Sequence, residues 1–234
     1  MLLSYSQLLF LQVANQKITE TVTKTEFSFW KIMYHGNFFA NIVMTTVLIL
    51  GILSVYLFFE RFFFIKKMDR ISDPNLMRNI EDFLRDGRIE AAQDYCNRQN
   101  SPEARILEKG ISRIGRPVSD ISSAMENQGQ VEVGNLEKNL NLLAAVPSIA
   151  PMLGLLGTVI GMIMAFFEMS NVTGPLSPKT LSEGIYTALG QTATGLAVAI
   201  PANFFYNVLL TKIDKFVLKI QNVSNDFLDI INKP

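Results

Sequence analysis

The stretch Asn139–Phe167, NLNLLAAVPSIAPMLGLLGTVIGMIMAFF, contains no Asp, Glu, Lys or Arg in 29 residues. As a helix rising roughly 1.5 Å per residue it is longer than the ~30 Å hydrocarbon layer, so it can cross a bilayer and project beyond it. Within it Pro147, Pro151, Gly154, Thr158, Gly161 and Ala165 recur at spacings of four and three, which places small side chains in one stripe. The opposite surface is Leu, Ile and Met. Small residues on a membrane helix let a second backbone approach closely, so the stripe reads as a packing face.

Two further runs share this character: Ile32–Phe59 and Gly184–Thr211 are uncharged over 28 residues each. The chain as a whole is formally neutral and 49% hydrophobic, totals that fit a soluble domain of this length, but the clustering overrules them. The fold class expected is an all-α membrane protein with three transmembrane helices, N-out/C-in, its long helices extending into the cytoplasm. Orientation follows from the cations. Arg61–Lys138 holds 13 Lys and Arg, whereas Lys179 is the one basic residue between the later two runs. The expected layout is a periplasmic and interfacial segment at 1–37, spans at 38–60, 139–168 and 184–211, a cytoplasmic helical domain at 61–138, a periplasmic loop at 169–183 and a C-terminal cytoplasmic helix at 212–234.

Before the first span Phe27, Trp30, Tyr34 and Phe38 cluster with Lys31 and His35, the mixture expected of a helix lying in the headgroup layer. No Lys or Arg precedes Lys17, so the N-terminus makes a poor secretory signal and is expected to be retained. Cytoplasmic helices are punctuated by turn chemistry. Asp73-Pro74 opens one that closes at Gly87; Arg88–Arg98 forms a second; Ser101-Pro102 opens a third that closes at Gly115. From Ser119 an apolar helical period runs up to the central span without a proline before Pro147, so that helix is expected to begin well below the membrane.

The chain lacks the makings of a catalytic centre, and it is read as not an enzyme. One histidine and one cysteine, His35 and Cys96, supply neither a zinc site nor a Cys/His pair, and no cofactor or metal is expected. Gly110-x4-Gly115 lacks the Lys-Ser/Thr pair of a phosphate-binding loop. Acids and bases alternate from Lys66 to Lys138, 13 against 12, so nucleic acid is not indicated as a partner. Apart from His35 near the start of the first, the three uncharged runs offer only hydroxyls and amides as polar side chains, among them Thr158, Thr187, Gln191, Thr192 and Thr194. These side chains suit a polar path, but each threonine can equally bond a carbonyl of its own helix.

At this point APMLGLLGTVIGMIMAF (Ala150–Phe166) and GIYTALGQTATGLAVAIPANFFYN (Gly184–Asn207) resemble the second- and third-span signatures of the ExbB/TolQ/MotA proton-channel family. EKGISRIGRP (Glu108–Pro117) and the spacing of the spans resemble the ExbB branch. The resemblance implies a multi-pass protein of a Gram-negative inner membrane that forms a homopentamer around the transmembrane helices of a single-span ExbD/TolR-like partner. Together they would use the proton motive force to energise a TonB-like protein. Carried over by position, Thr158 and Thr192 match the family's pore-lining threonines, and Gln191 and Thr187 join them as candidates for the proton pathway. Thr187 falls where Gly-Ile-x-Glu-Ala-Leu has its glutamate; here the pattern reads Gly-Ile-Tyr-Thr-Ala-Leu. Glu183, one turn earlier, is the possible periplasmic-side acid, and the titrating Asp is expected from the partner. Pro147, Pro151, Gly154, Gly161 and Gly195 are the helix-packing set. A TolQ-like envelope-maintenance subunit, a non-conducting membrane scaffold and a solute channel stand as the competing readings.

Overall fold

A helix starting at Phe38 continues unbroken to Ile71 (α1), because its Ile, Leu and Phe residues carry no proline and lipid leaves a spanning backbone no partner but itself. The computed structural model describes residues 38–171 and 178–232, so the interfacial cluster at Phe27, Trp30 and Tyr34, with His35, lies outside the described residues. Four shorter helices follow: α2 (Leu76–Arg85), α3 (Ile89–Arg98), α4 (Pro102–Ile111) and α5 (Val118–Glu137). Two long ones complete the chain, α6 (Leu140–Ser170) and α7 (Pro178–Asn232). The described residues contain no strand. Three helices, α1, α6 and α7, are long and apolar enough to cross a membrane.

With 55 residues, α7 extends about 80 Å and α1, with 34, about 50 Å, so both outrun a ~30 Å hydrocarbon layer. Their polar ends wrap the short helices. Leu57 and Ile65 of α1, Ile80 of α2, Ala92 and Cys96 of α3, Ile106, Leu107 and Ile111 of α4, Ile121 and Met125 of α5, and Ile213, Phe216 and Phe227 of α7 form one buried core. Phe58 stacks on Phe205 at 4.4 Å where the two long helices leave their apolar stretches. The apolar stretches themselves expose Ile49, Ile52, Met152, Leu155, Ile163, Leu189 and Ile200, side chains that need lipid or another helix to cover them.

The helix ends follow the turn chemistry of the sequence. Gly87 takes φ +73°, and the Arg88 and Gly87 amides donate to the carbonyls of Phe83 and Leu84, closing α2 with a left-handed glycine stop. Ser101 caps α4 by accepting from the Ala104 amide, with Pro102 in the first turn. Asp73 acts differently from the expected N-cap. It accepts from the Asn75 amide two residues on and from the Tyr95 hydroxyl, and these bonds hold its carboxyl below the ordinary range. One expectation is corrected: the period starting at Ser119 does not run through into the second span. Lys138 is extended and Asn139 left-handed at φ +63°, a conformation asparagine tolerates, so α5 stops and α6 begins anew. In contrast α7 passes from its apolar run into the core-packing segment without a break.

Cys96 is buried, and desolvation first, with the negative charge of Glu108 second, pushes its thiol up to about 12 from an ordinary 9.0. Maleimide labelling at pH 8 is therefore expected to be about a thousandfold slower in the folded chain than after denaturation. Rapid labelling of the native protein would show that α3 is not held in the core.

Candidate functional site

The small-residue stripes of α6 and α7 face each other along one seam. A Cβ added at Gly195 would lie 2.7 Å from the Ala150 carbonyl oxygen and 3.2 Å from Gly154 Cα. One added at Gly154 would lie 3.0 Å from the Gln191 carbonyl oxygen and 3.2 Å from Thr192 Cα. Further along, Gly161 meets Ala188 and Gly184 meets Ala165, so the backbones stay close over several turns. Close approach replaces the hydrophobic drive that lipid removes. Pro147 and Pro151 lie within α6 and are partly buried, and the helix continues through both. Val198 of α7 fills the notch at Gly51 of α1, which joins the first span to the pair.

Polar side chains sit in and beside this seam. Gln191 is 2% exposed and turned into the notch at Gly157, where its Oε1 has no hydrogen-bond partner among the described residues. A buried amide oxygen left unpaired costs about 1–3 kcal/mol, so the site favours anything that donates to it. Thr194, also buried, donates to the Gly190 carbonyl at 2.9 Å. Thr158 donates to Leu155 O at 2.7 Å and Thr187 to Glu183 O at 2.8 Å, each within its own helix. Thr192 is half-buried, and its hydroxyl makes no hydrogen bond among the described residues. Glu183 is exposed, one turn before Thr187.

The structure thus brings Gln191 and the Thr192 backbone into the seam beside Gly154 and Gly157, while Thr158 and Thr187 stand at its margins. The described parts of the uncharged runs contain no acid or base, so a proton has hydroxyls and amides to meet here but no titrating group. Among the described residues no group of His, Cys, Asp and Glu is arranged to hold a metal ion. The ion pair of the buried Glu103 with the part-exposed Lys219, at 3.0 Å, and the burial of Arg61 were not legible in the sequence. Both depend on contacts between segments far apart in the chain, for which no local spacing is a signal.

The MotA/TolQ/ExbB proton channel family matches residues 98–222, from α3 through most of α7, and so contains the whole seam. A putative biopolymer transport protein ExbB homolog of Methanothermobacter thermautotrophicus is 31% identical over 77% of this chain and 64% of its own length. The biopolymer transport protein ExbB of Helicobacter pylori is 49% identical over 34% of this chain and 54% of its own. That of Aquifex aeolicus is 39% identical over 45% and 72%. The chain therefore spans less than two thirds of the length of the first two of these relatives. The matched region covers more than half of the residues, and three membrane-length helices with a glycine seam lie within the same molecule: this chain is a multi-pass membrane protein belonging to the MotA/TolQ/ExbB proton channel family.

Proposed function

We propose that the chain is an ExbB-like subunit of an inner-membrane motor driven by the proton motive force, its extramembrane core on the cytoplasmic side. Copies of the chain, five in the resemblance drawn from sequence, surround an ExbD/TolR-like partner whose aspartate titrates, and the assembly energises a TonB-like protein. The observation that carries this reading is the hydroxyl of Thr192, without a hydrogen bond among the described residues, next to the unpartnered oxygen of Gln191, in two spans whose runs Asn139–Phe167 and Gly184–Thr211 hold no charge. Such a wall accommodates a carboxyl that gains and loses a proton without fixing it in an ion pair. The drive is about 2.3 kcal/mol per charge per 100 mV, enough to bias rotation of one packed helix.

The test is proton flux into proteoliposomes containing the chain with and without its partner. Flux is expected only with both present. Thr158→Val and Thr192→Val are expected to reduce it by roughly tenfold, the effect of losing one hydrogen bond to a charged group, while leaving assembly intact. Flux at the original level in both variants would contradict a lining role for these threonines. The scaffold reading draws on the hydroxyls of Thr158 and Thr187, which are already bonded to their own helices. It requires that the complete assembly conduct no protons.

A further inference from the structure

A cavity of about 330 Å³ opens where α1 and the α5–α6 junction meet α4, at the small end of the roughly 300–1,000 Å³ typical of small-molecule sites. Its charged lining is Glu60, Arg61, Arg105, Glu132 and Lys138. Three cations therefore meet two carboxylates. Arg105 and Glu132 satisfy one another: Nε donates to Oε1 at 2.7 Å and Nη2 to Oε2 at 2.6 Å, and Gln128 adds a bond to Oε1. Burial alone would raise the Glu132 carboxyl, but the bonds from Arg105 and Gln128 and the Arg105 charge outweigh it and hold the group below its ordinary range. It stays an anion, and it neutralises Arg105.

Arg61 is placed differently. Its side chain is only 7% exposed, yet its ion contact with Glu60 is 3.3 Å and its bond to the Asn135 carbonyl 3.4 Å, both long. Its buried Nε has no hydrogen-bond partner among the described residues, and its guanidinium carbon lies 5.4 Å from the centre of the Phe64 ring. Lys138, on the rim, makes no ion pair among the described residues. A guanidinium on the cavity wall held only by long contacts, with an ammonium on the same lining that makes no ion pair among the described residues, suits an oxyanion, and the guanidinium fork matches phosphate.

Sequence fixes the depth of the cavity in the membrane. Glu60 and Arg61 are the first charges after the run Ile32–Phe59, and Lys138 is the last before Asn139–Phe167. Both runs end at the cavity, which places it at the headgroup layer rather than in bulk solvent. Phe64 and Leu136 give it an apolar wall against which a glycerol stem can lie. We infer that this cavity binds the phosphate of an acidic phospholipid headgroup through Arg61 and Lys138.

The test is native mass spectrometry of the purified full-length chain in detergent with added phosphatidylglycerol, phosphatidylethanolamine or inorganic phosphate, alongside thermal melting with the same additions. Phosphatidylglycerol is expected to remain bound and to raise the melting temperature, and the other two additions to do neither. Lys138→Gln and Arg61→Gln are each expected to weaken retention about tenfold. Lys138 is exposed, so its replacement keeps the test valid if the Arg61 variant fails to fold. Lys67→Gln, at an exposed cation that does not line the cavity, is expected to leave retention unchanged. The inference is overturned if no phosphatidylglycerol is retained, or if Lys138→Gln retains it as the unaltered chain does. Equal loss in the Lys67 variant would also overturn it, by reducing binding to general surface charge. Stabilisation by inorganic phosphate without lipid retention would make this a free-phosphate site and reject the lipid.

Discussion

Gly195→Ala is expected to lower the melting temperature of the detergent-solubilised chain and to loosen α6 from α7. The added methyl would meet backbone atoms, the Ala150 carbonyl oxygen at 2.7 Å and Gly154 Cα at 3.2 Å, which cannot yield unless a whole helix shifts. Overpacking of this kind costs about 1–3 kcal/mol, against about 1 kcal/mol gained from alanine's helix propensity, so the loss wins. Gly134→Ala on α5 provides the opposite sign, because nothing lies within 4 Å of the new methyl. It is expected to stabilise by up to ~1 kcal/mol. Gly157→Ala falls between the two: the methyl would meet the flexible end of Gln191, which has room to turn away only by leaving its notch. If Gly195→Ala melted at or above the original temperature, the tight seam would be wrong.

A second large effect is expected in the extramembrane core. Glu103 is 1% exposed and lies 3.0 Å from Lys219 Nζ, at an angle outside hydrogen-bonding geometry, while Lys219 also donates to Ser72 Oγ at 2.7 Å. This one lysine ties the far end of α7 to α4 and to the turn after α1. Lys219→Met leaves a buried carboxylate without its counter-charge, and is expected to cost about 3 kcal/mol in a denaturation midpoint measurement. Glu103→Gln leaves behind a lysine that is 40% exposed and keeps Ser72 and water, so a smaller loss is expected. Equal effects from the two substitutions would mean that Glu103 is not buried as described.

The elements legible in the sequence were those set by local chemistry. Three uncharged runs gave three membrane-length helices, and Gly87, Ser101 and Pro102 marked helix ends by conformational and capping rules that need no knowledge of the rest of the fold. Spacing alone put Gly154, Gly161 and Gly195 on narrow faces, and the close contacts at those positions join α6 to α7. The turn at Lys138–Asn139 was hidden because the apolar period continues through it: Leu136, Leu140 and Leu143 all enter the core although the helix between them is broken. Which polar groups lie in the seam was only partly legible. Gln191 and Thr192 are adjacent in sequence, yet Gln191 is buried at Gly157 with its oxygen unbonded and Thr192 keeps a free hydroxyl. Neighbouring side chains on a helix project about 100° apart, so Gln191 enters the notch at Gly157 while Thr192 meets Gly154 through its Cα.

The central claim is that α6 and α7 present an uncharged, hydroxyl-bearing wall to a proton-carrying guest. Its most direct test is a cryo-electron microscopy map of the chain assembled with its single-span partner, resolved well enough to place side chains around the axis of the ring. The account predicts Thr158 and Thr192 facing the enclosed helices, with the partner's aspartate within hydrogen-bond reach of one of them. A lipid-filled or wholly apolar centre, with both threonines turned outward, would contradict it.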